Sequence, residues 1–342
     1  MTREPESSPL HRYGLALGVF LCLTLLSLIT VFNQVKSLGL SWQEAHYTQR
    51  LEAVLQGTAP APGAYRILSD GATVLLYRAA AWCGLPRATG LTFIAIRLAQ
   101  NLAIFAMCVL YYRRLGIPVY LSLLGVSGLA WGMTHSNFNS DLSINIYTEL
   151  ILYLIAAYAL LAGRLTWIVP ITVIGALNRE TSLFIPVLLL AAYVETRPVL
   201  QMPARIFAAG LAALAVFLLI QGGLHLLLDS SGLPPHSSGE ARGLPLLWHN
   251  LSSAQVWSGV FGVMGVFPVL ALAGWRHWPH PLRAFAITLV PGWMLLHFAF
   301  AAAGESRFFL VPQALVFVPA ALWVLLAWRE LLERRGATSV WT

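Results

Sequence analysis

The chain has 342 residues, of which 58% are hydrophobic and only 10% are charged, and its net charge is +7. Soluble domains usually carry about 25% charged residues, so this composition excludes an ordinary soluble domain and indicates a surface that meets lipid. Arginine supplies almost all of the positive charge, since Lys36 is the only lysine, and it is scattered rather than arranged in a stripe typical of nucleic-acid binding. No long polar segment marks a separate soluble domain, so residues 1–342 are interpreted as a single transmembrane domain.

The apolar runs predict an all-α polytopic membrane protein of about ten transmembrane helices, because a span needs roughly 20 apolar residues. The first run continues into NQVKSLGLSW, which is typical of a retained span and not of a cleaved signal peptide. In chain order, the predicted spans are residues 13–32, 91–111, 119–133, 150–162, 165–177, 183–193, 206–228, the run that leads to RHWPHPLR, the run that leads to GESRF, and the run that ends at RELLERRGA.

Arginines in short loops predict the orientation, because cytoplasmic loops carry an excess of Lys and Arg. The loops around Arg113, Arg164 and Arg329 are therefore expected in the cytoplasm, as is the N-terminus. Residues 34–90 then form a large first extracytoplasmic loop, and residues 229–254 form a second one. This topology requires that the short stretch 71–82 form a helix at the membrane interface and not cross the membrane. If that stretch crosses, the orientation of everything after it is inverted.

Polar clusters at the ends of predicted spans are the candidate functional residues. NRET, which begins at Asn178 and Arg179 and includes Glu180, separates two short apolar runs. Charges at a membrane boundary are typically functional, although a turn that caps two helices has the same composition. Glu305 and Arg307 repeat the pattern before the last predicted span, where an interfacial anchor is the alternative.

Three further candidates lie in or beside other spans. Arg97, inside the second predicted span, needs a counter-charge such as Glu149, Glu180 or a bound phosphate. His135 and Asp141 belong to THSNFNSDLS, a polar segment that is either part of the site or an ordinary solvated loop.

The first predicted loop contributes a helix and a turn. Glu44 and Tyr47, within QEAHY, suit a short amphipathic helix. GTAPAPGAYR is a rigid proline-containing turn that presents Tyr65 and Arg66 to the surface. A structural lid helix followed by a proline-rich turn is the alternative interpretation of the same residues.

Taken together and in this order, QEAHY, GTAPAPGAYRIL, NRET and ESRFFLVP resemble motifs of the GT-C superfamily of membrane glycosyltransferases. The resemblance implies a GT-C-like helix bundle whose large first loop carries interfacial helices. It also implies transfer of a sugar from a polyprenyl-phosphate lipid donor to a glycan, lipid or protein acceptor. The expected location is the inner membrane of a bacterium, with the bilayer around the chain and the active site facing outside.

Such a reaction needs a carboxylate that activates the acceptor hydroxyl and cations that hold the leaving phosphate. The catalytic candidates are Glu44, Asp141 and Glu180. Gln43 stands where the family pattern has an aspartate, and an amide cannot act as a base. The nine histidines have no metal-ligand spacing, so no metal site or cofactor is predicted, although carboxylates could still hold a divalent cation. The predicted substrate-binding residues are Tyr47, Arg66, Arg97, His135, Asn178, Arg179, Glu305 and Arg307.

Two other functions fit parts of the pattern. A transporter or flippase of a lipid-linked or anionic solute would use the same short spans and outer arginines, but it usually has internal repeats, and no convincing repeat is present. A non-catalytic GT-C-like binding subunit would explain Gln43.

Overall fold

The computed structural model describes residues 9–59, 63–136, 144–194, 203–229, 242–301 and 303–334, and the regular secondary structure of these ranges is helical throughout. The helices are α1 Pro9–Leu38, α2 Leu40–Leu55, α3 Ile67–Trp82, α4 Ala88–Arg114, α5 Val119–His135, α6 Ile144–Leu161, α7 Ile168–Ala176, α8 Phe184–Val194, α9 Ala204–Asp229, α10 Leu244–Ser252, α11 Ala254–Met264, α12 Phe267–Ala273, α13 His280–Phe300, α14 Leu310–Pro312 and α15 Val318–Arg334. The expected all-α architecture is therefore confirmed.

Six segments among the described residues are long and apolar enough to cross a membrane: α1, α4, α6, α9, α13 and Ser306–Glu333. A seventh is obtained if α11 and α12, which meet at an angle of 73°, form one broken span. The predicted number of about ten is not confirmed. The remaining predicted spans correspond to α5, α7 and α8, which have 17, 9 and 11 residues.

Packing indicates that α11 and α12 progress along the bundle instead of turning back. A Cβ built on Gly132, near the end of α5, would lie 2.5 Å from the Val263 carbonyl oxygen. One turn earlier in α5, a Cβ on Gly128 would meet the Phe267 ring at 2.3 Å. The close approach thus shifts along α5 as the chain passes from α11 to α12, which is the behaviour of a single span with a break.

The predicted loops contain more helix than expected. The predicted span 150–162 begins earlier than expected, because residues 144–149 form the first turns of α6 and include the fully buried Glu149. In the second predicted loop, α10 is fastened to the end of α13 by Asn250, whose Nδ2 donates to the Phe298 carbonyl at 2.8 Å. In the first loop, the residues of the predicted amphipathic helix belong to α2. The stretch 71–82 belongs to α3, which is not among the candidate spans.

Two ends of the bundle can be distinguished by their contacts. We call the polar end the region where the start of α3, the start of α6, the α7–α8 turn and the residues before α14 meet. The opposite end is where the α4–α5 turn meets α15: Trp323 Nε1 donates to the Leu115 carbonyl at 3.1 Å, and Arg329 donates to the Tyr120 hydroxyl.

Candidate functional site

The NRET turn forms a compact break between α7 and α8. The backbone N–H groups of Asn178 and Arg179 both donate to the Gly175 carbonyl, at 2.9 and 2.8 Å. Arg179 is then extended, with φ −161° and ψ 152°, before a short 3₁₀ turn begins at Glu180. Glycine is required at 175 because a Cβ there would lie 2.8 Å from the Ser182 side chain. Two polar residues, Asn178 and Arg179, are consequently buried at the polar end.

Helix α6 supplies the counter-charge for this turn. Glu149 Oε2 lies 3.2 Å from Arg179 Nη1, and the side-chain exposures of the two residues are 0% and 6%. The Thr181 hydroxyl donates to the other carboxylate oxygen of Glu149. One helical turn later, the Tyr153 hydroxyl donates to the Thr181 carbonyl at 2.6 Å. Glu149 was one suggested partner of Arg97, and the structure instead pairs it with Arg179.

Asn178 connects the first loop to the bundle. Its Nδ2 donates to the Asn145 carbonyl at 2.8 Å, and its Oδ1 accepts from the Ser69 hydroxyl at 2.5 Å. The backbone beside it is also joined, since Leu68 N donates to the Leu177 carbonyl at 3.0 Å. The start of α3, which belongs to the first predicted loop, is thereby fixed against the NRET turn.

Arg66 lies at this junction, immediately before α3. Burial and the nearby Arg179 lower the pKa of Arg66 to about 10, an effect that Glu180 partly offsets, while Arg50 and Arg307 lower the pKa further. Its side chain is half-buried, but the Nε atom is shielded from solvent and has no hydrogen-bond partner among the described residues. Three other arginines therefore lie close enough to act electrostatically on Arg66.

The residues before the last helix close the same cluster. Arg307 Nη2 donates to Glu305 Oε2 at 2.5 Å. The centroid of the Phe308 ring lies 5.3 Å from the Arg179 guanidinium carbon and 5.8 Å from that of Arg307. The position of Phe308 is fixed in turn by Trp293, whose Nε1 donates to the Phe308 carbonyl at 2.8 Å. The ESRF and NRET motifs, 125 positions apart in the sequence numbering of their glutamates, therefore share one aromatic ring.

His297 of α13 is a member of the site that sequence reasoning missed. It is buried beside the Phe308 ring, with centroids 4.8 Å apart, and its Nδ1 lies 2.9 Å from the Trp293 carbonyl. Its Nε2 is buried with no hydrogen-bond partner in the described part of the chain. No local signal distinguishes this histidine, because HFAF lies in an ordinary apolar run.

Two predicted residues of the first loop face α4 instead. Glu44 Oε2 lies 3.8 Å from Arg87 Nε, so its nearest cation is at the start of α4. Tyr47 is buried against Phe93, with stacked ring centroids 3.7 Å apart. Gln43 is also buried, and its amide donates to the Gln34 carbonyl of α1 at 3.0 Å. Residue 43 thus joins α1 to α2.

The three remaining predictions have separate outcomes. Arg97 is fully buried, with its guanidinium carbon 3.3 Å from the centroid of the Tyr147 ring, in a polar region between α1, α4 and α6. His135 is exposed and lies against Trp131, with centroids 4.3 Å apart, and no described contact joins it to the arginines. Asp141 lies outside the described residues.

A crevice adjoins the arginine cluster on the first-loop side. It encloses about 320 Å³, including its open mouth, between α2, α3 and the start of α4. Arg50 and Asp70 form an ion pair of 3.1 Å in its wall, and apolar side chains such as Val54 and Phe93 form most of the remainder. Within the described residues, no group of three His, Cys, Asp or Glu side chains is arranged to hold a metal ion.

The polar end contains buried arginine donors that lack hydrogen-bond acceptors among the described residues. Arg66 Nε has no hydrogen-bond partner among the described residues, and the same is true of Arg179 Nε and Nη1. A buried charged donor without an acceptor is unfavourable, so such groups typically indicate a missing ligand, ion or water. The oxygens of an anion would supply the acceptors. Glu180 is half-buried beside these cations, and no hydrogen bond or ion pair joins its side chain to another described residue.

Comparison with known proteins does not identify a family for this chain. No protein-family model matches the chain, and neither a curated protein nor a solved structure matches it.

Proposed function

We propose that this integral membrane protein is a glycosyltransferase of the GT-C type, which moves a sugar from a polyprenyl-phosphate donor to an acceptor at the polar end of its bundle. The observation that carries the proposal is the convergence of Arg66, Arg179 and Arg307, from three segments far apart in the chain, with buried donors of Arg66 and Arg179 that lack acceptors. These are also the segments on which the resemblance rests.

The chemistry assigns different roles to the arginines and the carboxylates. Arginine binds phosphate through several N–H donors, and a cationic cluster stabilises the charge that develops on a leaving phosphate. The base must reach the acceptor hydroxyl to within about 3 Å. Among the described carboxylates of the cluster, Glu149 is buried and paired, and Asp70 is paired with Arg50. Glu180 is half-buried without such a partner, which favours it as the base over Glu44.

The arginine distribution supports an extracytoplasmic site. Arg113, Arg114 and Arg329 lie toward the opposite end, at the end of α4 and in the last turns of α15. Since cytoplasmic loops are enriched in arginine, the opposite end is expected inside and the polar end outside.

Binding of undecaprenyl phosphate to the purified protein in nanodiscs tests the phosphate site. Arg66→Gln and Arg307→Gln are expected to weaken binding at least about tenfold, because each removes a charged donor worth roughly 1.5–3 kcal/mol. Arg329→Gln, at the opposite end, is the matched control and should bind as wild type does. Equal affinity of all four proteins would overturn the proposal.

Turnover distinguishes an enzyme from a non-catalytic binding subunit. The presence of Gln43 favours the binding subunit. In bacterial membranes that supply glycan, lipid and protein acceptors, and with a panel of undecaprenyl-phosphate sugars, Glu180→Gln should lower the acceptor-dependent release of undecaprenyl phosphate by about two to four orders of magnitude, while donor binding persists. Binding without release for every donor would favour the non-catalytic subunit. Movement of the intact donor from one leaflet of a proteoliposome membrane to the other would favour the flippase.

A further inference from the structure

Glu149 of α6 is a buried carboxylate for which the proposed reaction has no direct use. We infer that Glu149 is a positioning residue of the anion site. Its carboxylate orients the Arg179 guanidinium, and the Thr181 hydroxyl holds that carboxylate in place. The inference rests on the proposed function, because it concerns the same site. It follows from three contacts: the 3.2 Å approach of Glu149 to Arg179, the Thr181 hydroxyl bond to Glu149, and the Tyr153 bond to the Thr181 carbonyl.

The geometry of the pair argues against a purely structural ion pair. Glu149 Oε2 and Arg179 Nη1 approach closely, but neither atom has a hydrogen-bond partner among the described residues. Arg329 and Glu333, at the opposite end, form a true hydrogen bond of 2.7 Å. The buried pair therefore supplies charge compensation while the guanidinium keeps donor capacity. With Phe308 at 5.3 Å, the carboxylate confines a flexible side chain to one orientation.

The position of Glu149 also explains why the turn and the helix are joined twice. Glu149 and Tyr153 are one helical turn apart on α6, and both bind Thr181, through its side chain and its backbone respectively. Residues at i and i+4 lie on the same face of a helix, so a single face of α6 holds the residue two positions after Arg179. The orientation of Arg179 is thus coupled to helix α6.

A double-mutant cycle measured by binding of undecaprenyl phosphate in nanodiscs tests the inference. Glu149→Gln should weaken binding about tenfold, and Arg179→Gln at least as much. If Glu149 acts through Arg179, the double variant should match Arg179→Gln within about twofold. Glu149→Asp should recover part of the affinity, because it retains the charge. Additive losses, in which Glu149→Gln weakens binding tenfold even without Arg179, would overturn the positioning role.

A milder pair keeps the test decisive if Glu149→Gln does not fold. Thr181→Val removes the hydroxyl and should weaken binding several-fold, whereas Thr181→Ser keeps the donor and should bind as wild type does. Equal affinity of Thr181→Val and Thr181→Ser would contradict the inference. The proposed function fails in a different way: Arg179→Gln would then bind undecaprenyl phosphate as tightly as wild type.

Discussion

The two ends of the bundle hold charge in contrasting ways. At the opposite end, Arg329 has a side chain that is 65% exposed and donates to both Glu333 and the Tyr120 hydroxyl. At the polar end, the side chain of Arg179 is 6% exposed and that of its partner Glu149 is fully buried, yet the pair lacks a hydrogen bond. The exposed Arg329 makes two side-chain hydrogen bonds, whereas no hydrogen bond joins the two members of the buried pair.

This difference separates charge that orients a membrane protein from charge that serves a site. Exposed ion pairs contribute little to stability, so Arg329 can serve orientation alone. A buried ion pair is expensive to desolvate and is often replaceable by apolar residues without loss of stability. Its presence at the polar end, beside Arg66, whose Nε has no hydrogen-bond partner among the described residues, is typical of a ligand site. The following experiments test this contrast.

The largest effect is expected from breaking the buried pair. Arg179→Met leaves the Glu149 carboxylate without its counter-charge and should lower the free energy of unfolding by about 3–5 kcal/mol. Denaturant unfolding in detergent micelles measures it. Arg329→Met is the control at the opposite end and should unfold as wild type does. Similar destabilisation of both variants would remove the distinction between the two ends.

A smaller effect should follow from detaching the first loop. Asn178→Ala removes the bonds to Ser69 and to the Asn145 carbonyl, and should lower the free energy of unfolding by about 2–3 kcal/mol. Hydrogen exchange of the backbone at the start of α3 should become faster. Ser127→Ala, which loses only an exposed bond to the carbonyl of Leu123 in its own helix, is the reference. Unchanged exchange at the start of α3 would contradict the coupling.

Packing, and not charge, is expected to stabilise the opposite end. A Cβ on Gly274, after α12, would lie 2.3 Å from Val324 Cγ2 of α15. Gly274→Ala should therefore lower the free energy of unfolding by about 1–3 kcal/mol through overpacking. Gly222→Ala in α9 meets nothing within 4 Å and should be neutral or slightly stabilising. A neutral Gly274→Ala would mean that this end is loosely packed.

The smallest effect concerns the pH dependence of the polar end. Burial lowers the pKa of Arg66 from the ordinary value of arginine to about 10, so folding disfavours its charged form. The unfolded chain binds more protons between these values, and this residue's contribution to stability therefore increases as the pH rises through the interval. Anion binding has the opposite sign, because the ligand requires the charged form.

Affinity for undecaprenyl phosphate should accordingly fall as the pH rises above about 10, by up to about tenfold per pH unit. Titration of wild type against Arg66→Gln, which should bind weakly and without this dependence, isolates the contribution of Arg66. Parallel profiles for the two proteins would show that the charge of Arg66 does not take part in binding.

The helices were largely predictable, and their boundaries and number were less so. Composition and apolar runs identified the membrane class and the approximate locations of the helices, because lipid exposure imposes long apolar segments. The start of α6 was less predictable than its later part, because INIYTE, residues 144–149, is polar enough to suit a loop. Its polar groups are tolerated inside α6 because the α7–α8 turn pairs with them: Asn178 binds the Asn145 carbonyl, and Arg179 binds Glu149.

The candidate site was predictable only in part. Arg66, Asn178, Arg179, Glu180, Glu305 and Arg307 were singled out as polar residues at the ends of apolar runs, and the structure brings them together. Glu44 and Tyr47 followed the same rule, yet they face α4. Periodicity places residues on a helix, but it does not determine which neighbour that helix will meet.

The sequence by itself determined that this is a helical membrane protein with charged turns at the ends of its apolar runs. The reason is local: an apolar segment prefers lipid to water and a charged segment prefers water, whatever the rest of the chain does. Only the tertiary structure decided which charges are partners. Ser69 and Asn178 are 109 positions apart, and Glu149 and Thr181 are 32 apart. His297, which is buried beside the Phe308 ring, lies in an apolar run without any motif. Contacts over such separations depend on how helices pack, a property of the whole bundle that no short stretch of sequence contains.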